Sequence, residues 1–137
     1  MFPDGQGAGY PRPMSRARLP TFAAFWPFYL SQHAVPACRW LHFLGTSAVV
    51  ASLVYALATR IWMLLPLCLL LGYGPAWVGH FVIEKNRPAT FTYPLWSLFG
   101  DFRMWGGMLT GRYWTGTPVA PMTEADAMAE SSSSSSA

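Results

Sequence analysis

Two long stretches of this chain carry no charge, and a single arginine separates them. Phe43 to Thr59 is seventeen residues without Asp, Glu, Lys or Arg, and Ile61 to Gly79 is nineteen, with Arg60 between. Each is near the roughly 20 apolar residues that cross a hydrocarbon core as a helix. One continuous apolar helix interrupted by Arg60 competes with this reading, but Thr59-Arg60 makes the better turn. The pattern therefore predicts two antiparallel spans, about 43–59 and 61–79. Upstream, Ala34-Val35-Pro36 breaks the chain and a helix restarts near Ala37. Before the break, Thr21 is placed to N-cap a short helix whose Trp26, Phe28 and Tyr29 suit the headgroup boundary. Downstream, Pro88 to Pro94 reads as a loop. Beyond it Leu95, Leu98, Phe102, Trp105 and Leu109 recur at a 3-4-3-4 spacing, the stripe of an amphipathic helix. Asp101 and Arg103 in its middle argue against a third span, so this helix is expected to lie in the interface.

The fold class this predicts is an all-α membrane protein: a two-span transmembrane helical hairpin flanked by interfacial amphipathic helices. Residues 1–20, rich in Gly and Pro, read as a disordered N-terminal arm with no apolar signal-peptide core. Residues 113–137, ending in a serine run, read as a disordered tail. A single membrane domain over 21–112 lies between them, without internal repeats and without a recognisable lipidation motif. Inside the second span Pro66 and Gly72-Tyr-Gly-Pro75 break the regular pattern. Pro75 can kink the helix one turn before His80. Gly and Pro are common in membrane helices, so the kink is either ordinary or a device that turns His80 and Glu84 towards a polar pocket.

Composition sharpens the compartment. Charged residues make up 11% of the chain, against roughly a quarter in a soluble domain. The net charge of +3 is split: residues 21–112 carry six Lys/Arg against Glu84 and Asp101, whereas 113–137 carry only acids. A basic, membrane-embedded centre fits anionic headgroups or acidic lipid substrates, and nothing in the pattern reads as a nucleic-acid motif. The flanks of the hairpin hold more Lys/Arg than the lone Arg60, so both termini are expected on the cytoplasmic side. That means the inner membrane of a bacterium or the endoplasmic reticulum of a eukaryote. Cys38 and Cys68 fall at different depths and are expected to be free thiols.

Three histidines supply candidate chemistry. His42 lies eighteen residues before Arg60 and His80 twenty after it. At the helical rise the mismatch is about 3 Å, so the hairpin brings both imidazoles to one depth. His33 precedes the Pro36 break that leads into the helix carrying His42, and Glu84 is one helical turn beyond His80. Three imidazoles and a carboxylate suit iron, zinc or copper, and two His with a carboxylate is a known pattern for ferrous iron that activates oxygen. The competing reading leaves each His as an interfacial hydrogen-bonding group. Only three histidines are present, too few for a multi-box di-iron centre, so one metal per chain is the ceiling. Arg87 or Lys85 is a candidate to hold a substrate carboxylate, or a simple membrane-exit charge. Asp101 either orients a histidine or pairs with Arg103. Arg39 reads as a headgroup anchor.

The motifs Phe28-Tyr29-Leu30-Ser31-Gln32-His33, Arg39-Trp40-Leu41-His42-Phe43-Leu44-Gly45-Thr46, Gly79-His80-Phe81 with Glu84-Lys85-Asn86-Arg87-Pro88-Ala89, and Ser97-Leu98-Phe99-Gly100-Asp101-Phe102-Arg103-Met104 occur in this order. Across about residues 22–112 the chain resembles a family of small polytopic membrane proteins that includes the yeast endoplasmic-reticulum 2-hydroxy fatty acid dioxygenase, in a short, bacterial-like form. The resemblance implies an Fe(II) dioxygenase of fatty acid α-oxidation, which uses molecular oxygen to shorten a 2-hydroxy fatty acid by one carbon. The metal would sit on His33, His42 and His80, with Glu84 a fourth candidate and Arg87 and Asp101 the catalytic candidates. The alternative from a different class is a non-enzymatic membrane lipid-binding or assembly protein.

Overall fold

The structure is a computed structural model and describes residues 18–136. Residues 1–17, most of the expected arm, lie outside that range. The described residues form five α-helices and no strand: α1 Phe22–Ser31, α2 Pro36–Thr59, α3 Leu64–Val78, α4 Pro94–Leu109 and α5 Glu124–Ser134. A π-helical segment, Gly79–Glu84, prolongs α3, and a single 3-10 turn covers Ala89–Phe91.

Local chemistry explains the boundaries. Thr21 caps α1, its Oγ1 accepting from Ala24 N at 3.1 Å. Pro36 occupies the first turn of α2, where its missing N–H costs nothing. Arg60 ends α2 in the left-handed region with φ of 59°, which turns the chain back into α3. The hairpin is packed closely enough that a Cβ on Gly45 would sit 3.0 Å from the Leu71 carbonyl oxygen. Leu71 lies four residues before Pro75, so the ring of Pro75 removes the donor that this carbonyl would otherwise bond. The close approach of α2 thus falls at the point where α3 loses a rung.

Both α2 and the continuous Leu64–Glu84 helix are long and apolar enough to cross a membrane, and only 17% and 11% of their most apolar windows are buried. Leu44, Val54, Leu57, Leu69 and Leu70 all point outward. A core helix of a water-soluble domain would bury that surface.

The apolar core lies at one end of the hairpin, where α1, α4 and α5 gather. Phe25, Tyr29, Leu30, Tyr93, Met104 and Met108 form it, with Tyr93 and Trp96 stacked and Phe25 against both rings. Tyr29 therefore belongs to the interior and not to a headgroup boundary. In α4 the buried positions are Ser97, Gly100, Met104 and Met108, while Leu95, Leu98, Phe102 and Leu109 face outward. The inner face is thus offset from the predicted apolar stripe, and on it the Tyr29 ring presses against Gly100, where a Cβ would lie 2.9 Å from it.

Packed structure extends into both ends that the sequence pattern predicts to be disordered. Leu19 is buried, its N–H donating to the Tyr93 hydroxyl at 2.9 Å, so the packed region begins before residue 21. At the other end α5 forms within the expected tail. A reciprocal cap between Thr123 and Asp126 starts it, Ala127 buries against the core, and Tyr93 donates to Glu124. Serines 131 to 134 satisfy their hydroxyls on carbonyls of their own helix. A serine run read as low complexity therefore hides a capped helix.

Candidate metal centre and its cavity

The three histidines come from three elements. His33 follows α1, His42 lies in the second turn of α2, and His80 lies in the π-helical segment. Their ring centroids are 4.5, 4.6 and 5.0 Å apart, and all three side chains are buried. Together with Cys38 they offer four ligand atoms within 4.8 Å of one another.

Hydrogen bonds fix which nitrogens face inward. His33 Nδ1 lies 2.7 Å from the Tyr29 carbonyl and His42 Nδ1 lies 2.9 Å from the Cys38 carbonyl. A carbonyl only accepts, so both Nδ1 atoms carry the proton. His80 Nδ1 lies 2.8 Å from Asn86 Oδ1, and Asn86 Nδ2 donates to the Gln32 carbonyl at 2.9 Å. That second bond sets the amide orientation, so His80 Nδ1 is a donor as well. In the neutral rings each Nε2 is then a bare lone pair. His33 Nε2 and His42 Nε2 stand 3.2 Å apart, two acceptors pointed at each other in a buried site. A cation between them removes the conflict. A metal–nitrogen distance of about 2.1 Å puts adjacent ligand atoms roughly 3.0 to 3.4 Å apart in octahedral or tetrahedral geometry. The donor set fits a divalent transition metal.

Charge at the site follows burial. Burial, with the neighbouring imidazoles of His42 and His80, holds His33 well below its ordinary range. Asp101 donates no bond of its own: its Oδ1 accepts the Tyr29 hydroxyl and lies 4.0 Å from His42 Nε2. Burial pushes Asp101 up to about 6, and the Tyr29 hydroxyl and His80 act in the opposite sense. The same burial, reinforced by the Asp101 charge, raises Tyr29 well above the usual phenol range.

The expected site residues divide into two groups. His33, His42 and His80 meet, and Asp101 joins them through Tyr29, not through Arg103. Arg103 instead lies over the Trp26 ring, 4.3 Å from its centroid. Glu84 does not join. Its Oε1 accepts from Val35 N at 2.7 Å and so caps the start of α2, where the helix dipole favours a carboxylate. Arg87 stays outside as well, 5.1 Å from the Phe91 ring centroid. Arg39 is no headgroup anchor. It is fully buried and donates to the carbonyls of His33, Ala34, Tyr113 and Gly116 at 2.6–2.7 Å, tying the α1–α2 link to the chain after α4. Sequence reasoning missed Cys38, Tyr29 and Asn86. The i, i+4 spacings Cys38–His42 and Tyr29–His33 were available as signals. Asn86 was not, since it reaches His80 only through the left-handed reversal at Lys85, φ 54°.

Beside the cluster a cavity of about 210 Å³ opens between α2, α3 and α4. Its head is formed by His33, His42, His80, Tyr29, Asp101 and Ser97. It continues down the hairpin past Val49 and Gly72 to Cys68 and Leu69. Ser97 Oγ is buried and has no hydrogen-bond partner among the described residues. An orphaned buried hydroxyl costs about 1–3 kcal/mol. No Lys or Arg lines this cavity among the described residues.

The family model for 2-hydroxy-palmitic acid dioxygenase Mpo1-like proteins matches residues 19–113. The chain belongs to this family. The matched range takes in α1 to α4 and every residue of the cluster. The comparison with curated proteins and the comparison with solved structures gave no match.

Proposed function

We propose that this protein is an integral membrane Fe(II) dioxygenase that shortens 2-hydroxy fatty acids by one carbon. The observation that carries the metal is the facing pair of unprotonated Nε2 atoms of His33 and His42 at 3.2 Å, with His80 beside them. The family description supplies the substrate class and oxygen. His33, His42 and His80 hold the metal. Ferrous iron, when bound, supplies a template for the substrate head and oxygen and the electrons that oxygen activation needs.

The chain's own groups do the rest. The apolar depth of the cavity, bounded by α2, α3 and α4, takes the acyl tail, while the cluster meets the 2-hydroxy carboxylate head. Asp101 Oδ, beside His42 and held by the Tyr29 hydroxyl, is placed to take the proton of the 2-hydroxyl. Burial of the three imidazoles excludes water from the reacting end. Overall, R–CH(OH)–COOH and O2 give R–COOH, CO2 and H2O, which closes atoms and electrons without an added reductant. The outward apolar faces of α2, α3 and α4 contact lipid, and the Lys/Arg bias puts both termini in the cytoplasm.

The test is product analysis. Anaerobically purified protein loaded with Fe(II) is expected to convert 2-hydroxypalmitate to the fifteen-carbon acid, with one oxygen atom from 18O2 in the new carboxylate. Turnover without oxygen, or no turnover with iron bound, contradicts the proposal.

A further inference from the structure

Ser97 stands one helical turn before Asp101 on the inner face of α4, and both line the head of the cavity with the three histidines. Several helical hydroxyls bond a carbonyl of their own helix. Ser31 Oγ donates to the Phe28 carbonyl at 2.7 Å and Thr59 Oγ1 to the Tyr55 carbonyl at 2.8 Å. Ser97 Oγ does neither. It is buried at 2% exposure, has no partner among the described residues, and its backbone N–H already bonds the Tyr93 carbonyl at 2.8 Å. Buried polar groups are otherwise satisfied, so an orphan lining a cavity marks a place where something else supplies the partner.

The nature of that partner follows from the rest of the head. The Nδ1 atoms of the three histidines are already engaged, and Asp101 offers only acceptor oxygens. Arg87 sits on Phe91, away from the cavity, so among the described residues no cationic side chain is there to receive a carboxylate. A ligand with an oxygen-rich head therefore meets a shortage of donors, and Ser97 Oγ–H is a free one.

We propose that Ser97 is a substrate-positioning residue whose hydroxyl donates to a carboxylate oxygen of the bound fatty acid. The inference rests on the proposed lipid-acid substrate but not on turnover. The orphan hydroxyl is kept for the bound state, at the expense of the empty one.

Three proteins in detergent micelles decide it: wild type, Ser97→Ala and Ser97→Thr. Equilibrium binding of 2-hydroxypalmitate and of its methyl ester is measured under argon, and thermal unfolding is measured without ligand. Ser97→Ala is expected to weaken binding of the free acid about 10-fold or more, the worth of a hydrogen bond to a charged group. Binding of the ester should change little. Ser97→Thr, which retains the hydroxyl, should restore most of the affinity for the acid. The melting temperature of ligand-free Ser97→Ala is expected to stay level or rise, since an unsatisfied polar group has been removed. A merely structural serine would instead lower the melting temperature and leave acid and ester affected alike, which overturns the proposal. Equal acid binding by wild type and Ser97→Ala also overturns it. Wild type that binds neither acid nor ester sinks the fatty-acid reading itself.

Discussion

His33 and His42 approach each other through nitrogens that have no proton to share, because each ring has already given its N–H to a carbonyl one turn away. Asn86 does the same for His80 from the far side of a chain reversal. These three outer bonds decide which nitrogen faces the centre, and they make Asn86 as much a part of the site as the imidazoles. Asn86→Ala frees the His80 ring to change tautomer and to rotate. It is expected to weaken metal affinity by about 10- to 100-fold, read by competition with a chelating dye, while circular dichroism stays that of the folded protein. His42→Ala should abolish binding in the same assay. Unchanged affinity in Asn86→Ala would mean that His80 is not held as a ligand. Arg87 teaches the opposite lesson. It lies seven residues after His80 and is a sequence candidate for holding a substrate carboxylate, yet the left-handed Lys85 reverses the chain and leaves it outside on Phe91. Distance along the chain could not reveal that, because the φ of a single non-glycine residue decides it.

The hairpin sets the geometry that the side chains exploit. Its two long helices, the turn at Arg60 and the break before Pro36 were all legible from the uncharged runs and from proline chemistry. The common depth of His42 and His80 followed from counting residues to the turn. The face of α4 that packs was not legible. Its apolar stripe is the obvious signal, but the inner face is made of Ser97, Gly100, Met104 and Met108, with Gly100 pressed against the Tyr29 ring. A periodicity reports where apolar residues are, and in a membrane setting that is also where lipid lies. The closest backbone approach in the hairpin gives a direct test. A Cβ at Gly45 meets the carbonyl oxygens of Leu71 and Gly72 at 3.0 and 3.4 Å, backbone atoms with little freedom to withdraw. Gly45→Ala is therefore expected to destabilise the fold by about 1–3 kcal/mol, measured as a lowered midpoint of unfolding in detergent. A larger loss of ligand binding than of stability would follow, because Gly45 lies one turn below His42. Full stability in Gly45→Ala would show that α2 and α3 are not packed this closely.

At the scale of the molecule, a small helical cap of aromatic residues closes one end of an apolar hairpin, and the buried polar groups collect where the two meet. Arg39 staples that junction through four carbonyls, and α5 covers α1 from outside. Under the proposed function the cavity takes the tail of the acid along the hairpin, with its head against three imidazoles, a carboxylate and the Ser97 hydroxyl. The family assignment agrees with the proposed chemistry, and the facing Nε2 atoms are where the proposal puts the metal. One measurement bears on this most directly. Iron is titrated into anaerobic, metal-free protein in nanodiscs, and oxygen uptake is followed after adding a 2-hydroxy fatty acid. Uptake is expected to rise linearly and break at one iron per chain, with one O2 for each acid consumed and none in His42→Ala. Uptake that is independent of iron, or equal in His42→Ala, would contradict it.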